Sequence, residues 1–121
     1  MPRMARSTTL IAGILFPLVC QAQSTARIVG LGAATCQRFN EDIKFNPLMW
    51  RDYLAWAQGY MSGILMGRPA GVDEGLDLIP QSFNVVSQLR FLEDHCVRNA
   101  SDDFSLAVES LYKRLRTEGR T

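Results

Sequence analysis

The chain has 121 residues, with thirteen Lys and Arg against twelve Asp and Glu and a formal charge of +1. That near-neutral balance lacks the basic surplus a nucleic-acid binder needs, and no polybasic run suggests a membrane anchor. The length allows one domain, and three cysteines are too few for a disulfide-rich scaffold.

The first segment reads as a signal peptide, residues 1–22. Arg3 and Arg6 form a positive start, and Leu10 to Val19 form an apolar run too short for a comfortable membrane span. Cys20 and Ala22 place small residues before a cut after Ala22. Cleavage after Ala26 is an alternative. Lipidation of Cys20 is another, although Val19 stands where such signals carry Gly, Ala or Ser. Cutting after Ala22 removes Arg3, Arg6 and Cys20, which leaves eleven basic against twelve acidic residues and two cysteines. An even cysteine count in an oxidising compartment implies a Cys36–Cys96 disulfide, and the expected location is the periplasm.

Residues 23–34 are small and Gly-containing and are expected to be a flexible lead-in. Gly30-Leu31-Gly32 is not a nucleotide loop, because the Gly-x-Gly-x-x-Gly pattern is incomplete. Residues 35–121 are expected to form a single helical domain. Thr35 is placed to cap a short helix from Cys36 to about Ile43, with Cys36 and Phe39 inward.

The central stretch follows. Asn46 is a good N-cap and Pro47 a good first helical residue. At about 100° per residue, Met49, Trp50, Tyr53, Leu54, Trp56, Ala57, Tyr60, Met61, Ile64 and Leu65 fill one arc of roughly half the circumference. Arg51, Asp52, Gln58 and Ser62 occupy the other arc, with Ala55, Gly59 and Gly63 at i+4 spacing. Each mid-helix Gly costs about 1 kcal/mol against Ala, so the strip is expected to admit a close neighbour, within the chain or from a second copy in a homodimer. Trp50, Tyr53, Trp56 and Tyr60 are either core or candidate partner-binding residues, since aromatics dominate both.

Residues 68–80 hold two prolines, two glycines and three carboxylates and are expected to be a surface loop, open to partner binding. Asp73, Glu74 and Asp77 lack the spacing of a calcium loop. Ser82 is placed to cap a third helix to about Arg98, whose apolar face is Val85, Val86, Leu89, Leu92, Cys96 and Val97. Glu93 falls within that face. It either reaches solvent, Arg38 or Arg90, or is a desolvated carboxyl with a raised pKa and hence a candidate pH sensor. His95-Cys96 is not a catalytic dyad, because helix neighbours point about 100° apart. Ser101 is placed to cap a last helix, with Asp102 and Asp103 at its positive end. Its stripe is Phe104, Ala107, Val108, Leu111, Tyr112 and Leu115. Glu109 and Lys113 are spaced as an i,i+4 pair, Lys113, Arg114 and Arg116 suit the C-terminal dipole, and Gly119 stops the helix. No nucleophile–base pair, metal cluster or cofactor motif is visible, so binding rather than catalysis is expected, without a cofactor.

Thr35-Cys36-Gln37-Arg38-Phe39, Ala57-Gln58-Gly59-Tyr60, a helix ending in Cys96 and Phe104-x-x-Ala107-Val108 follow in an order that resembles the HdeA/HdeB-like family of small periplasmic proteins. The resemblance implies an all-α, four-helix fold clamped by one disulfide at Cys36 and Cys96. It also implies an acid-activated chaperone that binds unfolded clients. A second resemblance rests on Gly59-Tyr60-Met61-Ser62-Gly63 with Pro80 and Ser87-Gln88. It is to the Rap/Tai type of periplasmic immunity proteins, which bind and block a secreted cell-wall amidase.

Overall fold

A computed structural model of the chain describes residues 27–118. The expected signal peptide, its cleavage site and Gly119 lie outside them. The described residues form four helices: α1 (Cys36–Phe45), α2 (Trp50–Met66), α3 (Val85–Arg98) and α4 (Phe104–Glu118). There is no strand among them, only one isolated antiparallel bridge between Thr35 and Asp103. No helix among them is long and apolar enough to cross a membrane.

Local chemistry sets the helix starts. Thr35 Oγ1 accepts the Arg38 N–H and caps α1. Asn46 Oδ1 accepts from Leu48, but it caps a 3-10 turn (Pro47–Met49) that feeds α2 rather than α2 itself. Asn84, not Ser82, caps α3, with Oδ1 accepting the Ser87 N–H. Ser82 lies in a preceding 3-10 turn (Gln81–Phe83). Ser101 does not start α4. The first amide of α4, on Phe104, donates to Ala34 O at 2.8 Å, while the first amides of α1, on Cys36 and Gln37, donate to Asp102 O and Ala100 O. Two helix N-termini thus satisfy their free donors on each other's flanking segments.

The Cys36–Cys96 disulfide joins α1 to α3 beside this junction, with Cα atoms 4.6 Å apart and both residues buried. Next to it Phe39, Tyr53 and Phe104 bring α1, α2 and α4 together, with ring centroids 4.7–5.0 Å apart. The most deeply buried helix is α4: Phe104, Ser105, Ala107, Val108, Leu111, Tyr112 and Leu115 are all buried. From α2 only Tyr53, Leu54, Ala57 and Met61 are.

The segment expected to be a flexible lead-in is, over its described part, docked. Gly30–Ala33 form a 3-10 turn, and Gly32 lies so close under the Trp56 indole that a Cβ has no room. The Trp56 indole N–H donates to Val29 O. Residues 68–80 are likewise docked, through Leu76 and Leu78, which rest against the core.

Candidate functional site

The candidate contact aromatics do not form one surface. Tyr53 is 1% exposed and belongs to the core rather than to any contact face. Its hydroxyl donates to Asp42 Oδ2 at 2.6 Å, and burial first, then this carboxylate, push the phenol pKa up. Asp42 also takes the Arg38 guanidinium, so Arg38 does not reach Glu93.

Trp56 and Tyr60 are half-buried and stacked, with centroids 4.9 Å apart and planes 16° from parallel. Tyr60 donates to Glu109 Oε1 at 2.8 Å, which takes Glu109 away from the expected pairing with Lys113. With Ile28, Val29, Ala55 and Gly59 they line a shallow groove of about 410 Å³. Gly59 and Gly63 have nothing within reach of an added Cβ. The close neighbour expected on this strip is therefore not another part of the described chain.

A second apolar groove lies where α3 packs beside α1. Val86, Glu93 and Val97 fall along the outer edge of α3, beside the buried Gln88, Leu92 and Cys96, and Leu89 packs partly against the core between them. The single apolar face expected for α3 is thus partly core and partly exposed edge. Leu89, Glu93 and Val97, with Ile43, Lys44, Pro47 and Trp50, line a groove of about 430 Å³. Val97 is 71% exposed, and Phe45 and Leu48, next along the chain from the groove's lining residues, are 86% and 64% exposed. These exposed apolar side chains make the region a candidate interaction surface.

Glu93 sits inside this groove, half-buried and in no ion pair among the described residues. Burial pushes its carboxyl above the ordinary range. Asp94 adds to the shift, and Arg90 only partly offsets it. Lys44 lies on the same groove, so the surface presents one basic and one acidic group in an apolar setting.

His95 is held beside the α3–α4 turn, with Nε2 3.4 Å from Asp102 Oδ2, and Cys96 is consumed by the disulfide. Among the described residues no group of three or more His, Cys, Asp or Glu side chains gathers at metal-binding distance.

The three carboxylates of the 68–80 segment each have a local task. Glu74 accepts the Gly71 N–H and Asp77 the Ile79 N–H. Asp73 reaches across to α4, where Tyr112 and Arg116 bind it. The basic cluster at the end of α4 is accordingly not only a solvated complement to the dipole. Arg116 holds Asp73, and Arg114 lies over the Phe83 ring while pairing with Glu118.

The chain matches no protein-family model, no curated protein and no solved structure.

Proposed function

We propose that the chain is a small, exported, non-enzymatic binding protein of the periplasm that shields unfolding protein clients, in the manner of an acid-stress chaperone. The observation that carries this reading is the uncovered apolar surface on α1 and α3, where Val97 is 71% exposed beside the desolvated carboxyl of Glu93. Unfolded clients expose apolar side chains, and in acid protonation of Glu93 removes the negative charge from the groove, so its apolar lining carries the match. The buried disulfide fits an oxidising compartment. Lys44 and Glu93 on one groove would also let two copies meet through this face, so that a homodimer could cover it until clients compete.

The test is a client-aggregation assay with the oxidised chain lacking residues 1–22, run at pH 7 and near pH 3, with a dye that reports apolar surface. The expected result is suppression of aggregation in acid, weakened by Val97→Asp or Phe45→Ser while the helical signal is kept. Suppression unchanged by both substitutions, or none at any client ratio, overturns the reading.

A second reading, an immunity-type protein that neutralises a secreted cell-wall-degrading effector, draws on the open Ala55, Gly59 and Gly63 strip. Two exposed mid-helix glycines, with nothing among the described residues within reach of an added Cβ, suit the backbone of a folded partner. Gly59→Ala and Gly63→Ala distinguish the readings: they would abolish a tight one-to-one complex and leave client shielding unchanged.

A further inference from the structure

Residues 68–80 lead from the end of α2 back to α3 and, besides the apolar contacts of Leu76 and Leu78 with the core, are held at two polar points of different chemistry. At the first, the Asp73 side chain is 2% exposed. Its Oδ2 accepts the Tyr112 hydroxyl at 2.8 Å, its Oδ1 accepts Arg116 Nε at 2.8 Å, and Arg68 Nε lies 3.3 Å from Oδ2. The Asp73 backbone is left-handed, with φ +58°. A non-glycine residue there is held in place by its surroundings. At the second point the Gln88 side-chain amide, fully buried on α3, donates to Leu78 O at 2.9 Å and Phe83 O at 3.1 Å. That grip is neutral. Its remaining oxygen is buried without a partner among the described residues.

The charged and titratable groups facing Asp73 are Tyr112 and Arg116 from α4 and Arg68 from the end of α2. Glu74 and Asp77 of the same segment are occupied by backbone amides. One carboxylate therefore sits between two guanidinium groups. Neutralising it leaves two partly exposed guanidinium groups without their shared counter-charge and removes the charge from the bonds that hold the segment down. The Gln88 grip has no group that titrates in acid.

We propose that residues 68–80 are an acid-released strap, clasped by Asp73 and anchored at its far end by Gln88, which lifts from α4 when the carboxylate is neutralised and uncovers Tyr112 and Leu65. Burial works to raise the Asp73 pKa, but Tyr112, Arg116 and Arg68 outweigh it and hold the carboxyl below the ordinary range. A depressed pKa in the folded state contributes stability above the unfolded value and loses it as pH falls through the folded one. Release thus falls below the pH at which ordinary carboxylates titrate. The inference stands on the clasp and goes beyond the chaperone reading, so its test uses no client.

The experiment follows amide-hydrogen protection factors in the oxidised chain from pH 7 to pH 2. Val72 N–H and Leu76 N–H, bonded to Pro69 O and Asp73 O, report the strap; Cys36 N–H and Phe104 N–H report the core. Strap protection is expected to fall roughly tenfold or more in acid, the scale of a lost charge-assisted bond, while core protection holds. Asp73→Asn keeps a side chain that tolerates the left-handed backbone and should produce the released state at pH 7. Tyr112→Phe keeps the ring, removes one donor, and should move release to higher pH. Simultaneous loss of strap and core protection overturns the proposal. So does a strap that neither substitution alters. If Asp73→Asn does not fold, Tyr112→Phe alone decides, because its packing is conserved.

Discussion

Removing the Cys36–Cys96 bond tests how far this domain depends on its clamp. The bond closes a separation of 60 residues, and the chain-entropy relation assigns a closure of that length about 4 kcal/mol. Domains of this size have roughly 5–15 kcal/mol in all, so the reduced protein would keep a thin margin. It should still fold, because the bonds from Cys36 and Gln37 to Asp102 and Ala100, and from Phe104 to Ala34, tie the same junction through the backbone. Both half-cystines are fully buried, so a reductant reaches them only after local opening, and native-state reduction should be slow and accelerate with mild denaturant. The assay is urea unfolding of the oxidised protein against a Cys36→Ala, Cys96→Ala double variant. We expect a loss of about 4 kcal/mol, with a steeper denaturant dependence in the variant because its unfolded chain is no longer cross-linked. A loss under about 1 kcal/mol, or fast reduction in native buffer, would refute the argument that closure entropy and burial protect this bond.

Gly32→Ala forces the Trp56 indole aside and should cost about 1–3 kcal/mol by thermal melting, the usual range for overpacking; an unchanged melt would mean that Trp56 is not seated on this turn. Gly59→Ala and Gly63→Ala meet open space and should each stabilise the isolated chain by about 1 kcal/mol, with destabilisation counting against the exposed position of the strip. Glu93→Gln should raise the urea midpoint at pH 7, because burial raises the carboxyl pKa in the folded state and so penalises its charged form. The advantage should vanish as pH falls below the ordinary carboxylate range, and a difference that grows in acid would reverse the assignment.

Much of the fold was legible because it is periodic and local. The α4 stripe from Phe104 to Leu115 repeats at helical spacing, and Thr35 stands one residue before an inward cysteine. What escaped was either long-range or ambiguous. The partners of Asp73 lie 39 and 43 residues away, and no local pattern marks a carboxylate for such a contact. Gln88 occupies the inward arc of α3 at full burial, and only its donors to Leu78 and Phe83 explain it. Ser82 and Asn84 are both good caps, and the 3-10 turn after Pro80 decides between them. A helical wheel ranks the arcs of α2 but does not say how many neighbours the fold supplies. With four helices and the docked segments, nothing among the described residues comes within reach of a Cβ at Gly59 or Gly63 on that arc. The same shortage leaves Val86 and Val97 outside, although they are as apolar as the core.

The two unusual carboxylates respond to acid in opposite directions. Glu93 has a raised pKa, so protonation relieves a penalty on the folded state. Asp73 has a lowered pKa, so protonation removes a contribution and frees the 68–80 segment. As pH falls, Glu93 changes first and Asp73 later. An acid response that begins near the ordinary carboxylate range belongs to the α1/α3 groove, through neutralisation of the one acidic group in it. A response at still lower pH that increases exposure belongs to the strap. Protonating Glu93 removes a penalty on the folded state rather than a contribution to it, so its titration by itself does not favour unfolding. Its protonation alters what the groove attracts, from a basic partner toward a purely apolar one, and loosening falls to the cluster of Asp73, Arg68, Tyr112 and Arg116.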